Sequence, residues 1–390
     1  MDMNDRSLRD IVVGLGGRAN GPAREDGFII TAASEVMAIL ALSSSIAELK
    51  ERLTRILVAF DMGGKPITAN ELGVCGSMAA LLKDTIKPNL VQTIDRTPAF
   101  IHAGPFANIA HGASSIVATK MALKLSDYVV TEAGFGSDLG AEKFVDIVCR
   151  MADFKVNAAV IVATIRALKL HGGAPEKDLR SGTIENLQKG LPNLAKHIEN
   201  VRKFSIPAVV ALNVFDGDTS DEIKLVEDFC RSQHARCAEV HAYDKGAGGA
   251  VDLANEVVET IQKETSETLP IYGLDESVEN KIEKIALEIY GANRVIYTPK
   301  AEKDIVRVER FGFGKLPVCI AKTNRSLSDD PTAYGRPGNF KITITDVNIS
   351  AGAGFLVPLA GEIMLMPGLA KVPNAAKIDI DETGRITGLS

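Results

Sequence analysis

Val162-Ala-Thr-Ile-Arg-Ala-Leu-Lys-Leu-His-Gly-Gly173 decides the reading of this chain. The segment leading into it, Ala158 to Val162, is unbroken, apolar and rich in β-branched residues, and short enough for a buried strand. A charged stretch and two glycines come next. Arg166, Lys169 and His171 are therefore expected just past the carboxyl end of a strand, the edge of an open α/β sheet where ligands bind. The competing reading is a solvated basic turn after a core strand.

Outward from this stretch the same pattern repeats: a short apolar strand, a glycine-rich turn, an amphipathic helix. Ile11-Val-Val13 runs into Gly14, Tyr128-Val-Val-Thr131 into Glu132-Ala-Gly-Phe-Gly136, and Ala208-Val-Val-Ala-Leu212 into Asn213-Val-Phe215. Leu49, Leu53, Ile56 and Leu57 share one helical face. So do Ile223, Val226 and Phe229, with Asp218 or Ser220 as the expected cap, since either side chain satisfies free N–H groups of a first turn. Val251, Ala254, Val258 and Ile261 mark another helix, and Val278, Ile282, Ile285 and Ile289 one more. Strands alternating with helices predict an α/β fold with a doubly wound, mainly parallel sheet. Smaller C-terminal pieces complete the chain. Lys341-Ile-Thr-Ile-Thr345 alternates as a half-exposed strand, and Ile378–Thr387 reads as a hairpin turning at Glu382-Thr-Gly384. Pro- and Gly-rich breaks stand at Pro331–Gly338 and Pro367–Pro373. Domains are expected at 1–205, 206–300 and 301–390.

The 390 residues suffice for two or three cores, and a net charge of −6 argues against a nucleic-acid binder while leaving room for local basic pockets. No apolar run approaches the ~18 residues of a membrane span. Residues 1–6 lack the basic and apolar regions of a signal peptide, so the cytoplasm is the expected compartment. Five cysteines, odd in number and without a C-x-x-C pair, are expected to be reduced core residues. The six histidines show no metal spacing.

The stretch 162–173 resembles a signature of formate–tetrahydrofolate ligase. Further segments are similar to that family: Asp2-Met-Asn-Asp-Arg6, Val13-Gly-Leu-Gly-Gly17, Lys87-Pro-Asn-Leu-Val-Gln-Thr93, His102-Ala-Gly-Pro-Phe-Ala-Asn-Ile-Ala-His-Gly112, Thr131-Glu-Ala-Gly-Phe-Gly-Ser-Asp-Leu-Gly-Ala-Glu-Lys143 and Ser350-Ala-Gly-Ala-Gly-Phe355. The resemblance implies a P-loop NTPase-like sheet that begins, in this chain, after the family's phosphate loop, and hence an N-terminally truncated form. It implies ATP with Mg2+, tetrahydrofolate and formate as substrates, a monovalent cation, and a homotetramer. The alternative is a non-catalytic folate-binding or oligomerising remnant.

The implied chemistry needs backbone N–H groups around phosphate, cations near the transferring groups and a flat aromatic slot for the pterin. No G-x-x-x-x-G-K-[ST] string occurs in residues 1–390, so no catalytic residue is assigned. Gly134, Gly136 and Gly140 form at most a loose dinucleotide turn. By resemblance Phe135 and Phe215 are expected to flank the pterin. The residues beside Phe215 are Val214 and Asp216, where the family has Arg and Pro. The chain has no tryptophan, which leaves Tyr243 as the opposing ring. Asn108, in a turn-rich segment, and Lys322 and Ser328, in a polar loop after Pro317-Val-Cys-Ile320, are the nucleotide candidates. Asn108 reads equally well as a turn former.

Overall fold

A computed structural model describes residues 6–178, 182–361, 363 and 371–388. Asp2–Asp5 of the opening motif and residues 367–370 of the second expected break lie outside them. Contacts divide the chain into two units, Glu35–Ile363 and Met1–Ser34 with Met364–Ser390.

In the smaller unit, β1 (Ile11–Val13) pairs with β2 (Arg24–Asp26) as an antiparallel ribbon, not as the first strand of a parallel sheet. Gly14 explains this: its φ is +79°, and a side chain there would strike the carbonyl of Pro22, so the chain folds back rather than entering a helix.

The larger unit starts with α1 (Glu35–Leu42) and α2 (Ile46–Thr54), the latter capped by Ser45. Leu49 and Leu53 are buried as the spacing predicts. Two antiparallel ribbons come next, β3 (Leu57–Phe60) with β4 (Pro66–Thr68) and, after α3 (Cys75–Leu82), β5 (Asn89–Gln92) with β6 (Pro98–Ile101). Beyond α4 (Ile116–Leu125) lies the expected strand Tyr128–Thr131. It forms no strand and has no ladder partner among the described residues, and Val130 is 93% exposed. A helix with wide turns over Ser137–Ala141 and Phe144–Cys149 then leads into α5 (Arg150–Ala152).

The parallel sheet is centred on the quoted stretch. Its strands are β7 (Ala159–Ala163), β8 (Ala208–Asn213) and β9 (Arg236–Val240), in that order and all parallel. Pairing of β7 with β8 runs from Ala159–Ala208 to Ala163–Leu212, across residue 205. β8 is buried throughout most of its length, but β7 is an edge strand: Val162 is 68% exposed, which corrects the expectation of a fully buried strand. The crossover from β7 contains α6 (Ile165–His171) and α7 (Ile184–Lys203), and the next contains α8 (Ser220–Ser232). α6 and α7 approach through glycine. A β-carbon on Gly190 would lie 1.8 Å from the Leu168 carbonyl oxygen, and one on Gly172 would lie 1.7 Å from that of Asn186.

The cap of α8 is Thr219, not Asp218 or Ser220. Thr219 and Glu222 form a reciprocal capping box, while Asp218 turns back to accept from the Phe215 N–H at 2.9 Å. After α9 (Ala242–Lys245) comes α10 (Val251–Lys263), whose expected face is rotated: Val251 is exposed and Thr260 is buried. Next come α11 (Val278–Lys284), running into wide turns over Ile285–Tyr290, β10 (Arg294–Tyr297) and α12 (Pro299–Arg310). Val278, Ile282, Ile285 and Ile289 are all fully buried, each contributing about 1.5–3 kcal/mol by transfer from water. β11 (Lys341–Ser350) pairs parallel with β10 and antiparallel with β12 (Phe355–Ala360).

The parallel strands thus lie in two separate three-stranded sheets, one wholly parallel and one mixed. Back in the smaller unit, β13 (Asp379–Ile380) and β14 (Ile386–Thr387) make the expected terminal hairpin. No helix among the described residues is long and apolar enough to cross a membrane. All five cysteines are free, and four are buried.

Candidate functional site

Three parallel strands end on one edge, and each delivers a residue singled out from the sequence. β7 leads to Arg166, β8 to Phe215 and β9 to Tyr243. Carboxyl ends of parallel strands form the usual ligand edge because the crossover turns leave backbone and side chains free there. Arg166 and Phe215 touch: the guanidinium carbon lies 4.6 Å from the ring centroid, and an N–H reaches the Asp216 carbonyl at 3.3 Å. Tyr243, on α9, is 89% exposed.

The signature residues sit on a helix that begins just past the end of β7, not on the solvated turn of the competing reading. Thr164 caps α6 by accepting from the Ala167 N–H, and Gly172 closes it. Lys169 is buried and its ammonium lies 2.6 Å from the Glu222 carboxylate. Glu222 also takes the Thr219 N–H, so one carboxylate caps α8 and holds α6 against it. Burial alone would raise the Glu222 pKa, yet the bonds from Lys169 and Thr219 hold it below the ordinary value. His171 faces Tyr334 edge-on, and its Nδ1 accepts from the Gly335 N–H at 3.0 Å. Burial, aided by the nearby His197, lowers its pKa to about 4. It is neutral near pH 7, as an accepting Nδ1 requires.

Phe135 stands on a second loop. It is half-exposed and holds φ +64°, a left-handed conformation unusual for a bulky residue. The next residues, Ser137 and Asp138, are anchored. The Ser137 hydroxyl is 2.8 Å from His197 Nδ1 and takes a bond from Asn200. Asp138 forms a buried ion pair with Lys322 at 2.8 Å. Burial opposes the charge on Asp138, but the Lys322 ammonium keeps its pKa below the usual carboxylate range.

Lys322 is fully buried and surrounded. Besides Asp138 its ammonium bonds the carbonyls of Thr323 and Ser326 and lies 5.1 Å from the Tyr290 ring centroid. Its main-chain N–H bonds the Asn108 carbonyl at 3.1 Å, which brings two of the nucleotide candidates together. Ser328 is buried in a turn with Ser326 and Asp330.

Sequence reasoning missed the charged row on the wide-turn helix. Glu142, Lys143 and Asp146 are all fully buried. Lys143 donates to the carbonyls of Ala107 and Ala110 and so pins the His102–Gly112 segment from beneath. Burial, reinforced by Asp146, pushes the Glu142 pKa far up, and burial lifts Asp146 to about 7 against the pull of Arg150. The two carboxyls stand one turn apart, and both Glu142 oxygens and Asp146 Oδ2 are buried without a hydrogen-bond partner among the described residues. Asp138, Glu142, Lys143 and Asp146 all stood in a segment similar to the family or just beyond it. The i, i+4 spacing of Asp138, Glu142 and Asp146 resembles that of an exposed charged face, which hid their burial.

Compared with known families, residues 1–390 match the one described as formate–tetrahydrofolate ligase.

Proposed function

The chain belongs to the formate–tetrahydrofolate ligase family, ATP-using ligases of one-carbon metabolism, and from that premise we propose that it contributes the pterin-binding side of 10-formyltetrahydrofolate synthesis. In this reading a formate oxygen attacks the γ-phosphorus of ATP, giving formyl phosphate and ADP. The N10 amine of tetrahydrofolate then attacks the formyl carbon, phosphate leaves, and the amine proton is lost. Phe135 and Phe215 stack on the pterin and Tyr243 supplies an opposing face. Asn108, Lys322 and Ser328 belong to the nucleotide side. Lys322, with its ammonium engaged internally, acts there by holding the 322–330 loop and the Asn108 turn in place. Mg2+ travels with ATP, and a monovalent cation, a homotetramer and a cytoplasmic setting complete the reading.

One observation carries the proposal: a half-exposed phenylalanine kept at positive φ on a loop anchored by a buried ion pair. Backbone strain of this kind gathers at ligand sites. Calorimetric titration with tetrahydrofolate tests it. Phe135→Ala and Phe215→Ala are each expected to weaken binding by about 10-fold, and equal affinity in wild type and both variants would refute the stacking roles. A second reading, folate binding without catalysis, is favoured by the engagement of the Lys322 ammonium with Asp138. Formate-dependent ADP release separates the two.

A further inference from the structure

The three basic residues of the signature have different attachments. Lys169 is locked to Glu222 and His171 to the Gly335 N–H, both in buried surroundings. Arg166 has no carboxylate within ion-pair distance among the described residues. Its contacts are the Phe215 ring and one long bond to the Asp216 carbonyl. It also stands in the first turn of α6, where the helix dipole disfavours a cation, so helix stability does not account for it.

Phe215 is one of the rings assigned to the pterin. A stacked pterin and a stacked guanidinium compete for a ring face, and here the guanidinium holds one. A partly exposed cation–π contact is weak, and a 3.3 Å hydrogen bond adds little. Tetrahydrofolate carries, beyond its pterin, a glutamate with two carboxylates, for which a planar guanidinium is the best-matched partner. We propose that Arg166 is a specificity-determining residue: it caps Phe215 in the free protein, is displaced by the pterin, and turns to the ligand's carboxylate tail. This rests on the folate reading and adds to it a reason for the protein to prefer tailed over tail-less pterins.

The test is calorimetric titration of the full chain with two ligands, tetrahydrofolate and a tetrahydropterin lacking the glutamate tail. With the cap removed, Arg166→Met is expected to bind the tail-less tetrahydropterin about 2- to 5-fold more tightly than wild type. The same variant is expected to bind tetrahydrofolate about 10-fold more weakly, having lost a charge-assisted bond. Arg166→Lys, which keeps the charge without the fork, falls between for tetrahydrofolate and controls for folding. Equal shifts for both ligands, or none for either, overturn the proposal. If wild type binds neither ligand, the folate reading itself fails and this role with it. If wild type binds both and Arg166→Met is indistinguishable from it, the folate reading stands and only the role of Arg166 falls.

Discussion

Phe135 holds a backbone conformation that costs a residue with a β-carbon about 1–2 kcal/mol. Half of its surface is open to water, so packing does not repay that cost in full. Such a residue separates stability from function. Phe135→Asn, which tolerates left-handed φ, is expected to raise stability by about 0.5–1 kcal/mol in urea denaturation while weakening tetrahydrofolate binding by about 10-fold. A loss of stability with binding intact would make the ring structural. The phenylalanine was legible from its motif, but its strain was not, because φ at one residue depends on how the flanking loop is held. That holding comes from Asp138, Ser137 and their distant partners Lys322, His197 and Asn200.

Among elements, α6 and α7 show why the signature ends in glycine. Gly172 and Gly190 allow the two helices to approach until backbone meets backbone, and any β-carbon forces them apart. Gly190→Ala is expected to destabilise by about 2–3 kcal/mol despite the better helix propensity of alanine. Gly76→Ala in α3 is the matched control: nothing lies within 4 Å of a β-carbon there, so the gain of roughly 0.5–1 kcal/mol should emerge unopposed. Equal midpoints for the two variants would show that α6 and α7 separate freely. Elements with strong periodicity were readable. The apolar stripe from Val278 to Ile289 and the strand Ala208–Leu212 occur where expected, since an apolar pattern needs no partner's identity to declare a buried face. Pairing was not readable. Ile11–Val13 turned into an antiparallel ribbon, Tyr128–Thr131 stayed unpaired among the described residues, and Val162 faces out from an edge strand. An apolar run says that a strand can form, not which neighbour it finds.

At the scale of the whole chain, the least legible property is the number of ionisable groups taken out of water, because a charge reads as exposed until its partner is known. Those groups give stability a pH dependence of definite sign. Burial raises Glu35 from 4.5 to about 7, although it accepts from the N–H groups of Gly352 and Ala353, and burial raises Asp146 from 3.8 to about 7. A carboxyl raised on folding contributes stability that is complete below its unfolded pKa and is lost as pH climbs through 7. Burial lowers His171 from 6.5 to about 4 and His111 to about 3. A histidine lowered on folding contributes stability that is present above its unfolded pKa and is lost as pH falls toward the folded value. The two sets oppose each other between about pH 4.5 and 6.5, and each acts alone outside that window. The thermal midpoint is therefore expected to be nearly flat across about pH 5–6.5, lower near pH 7.5 and lower again near pH 4. Glu35→Gln should reduce the fall on the alkaline side and leave the acid side unchanged. Scanning the midpoint from about pH 4 to 8 in wild type and Glu35→Gln checks this. A midpoint that rises steadily through neutrality in wild type would mean that these carboxyls ionise in the folded protein as easily as in water.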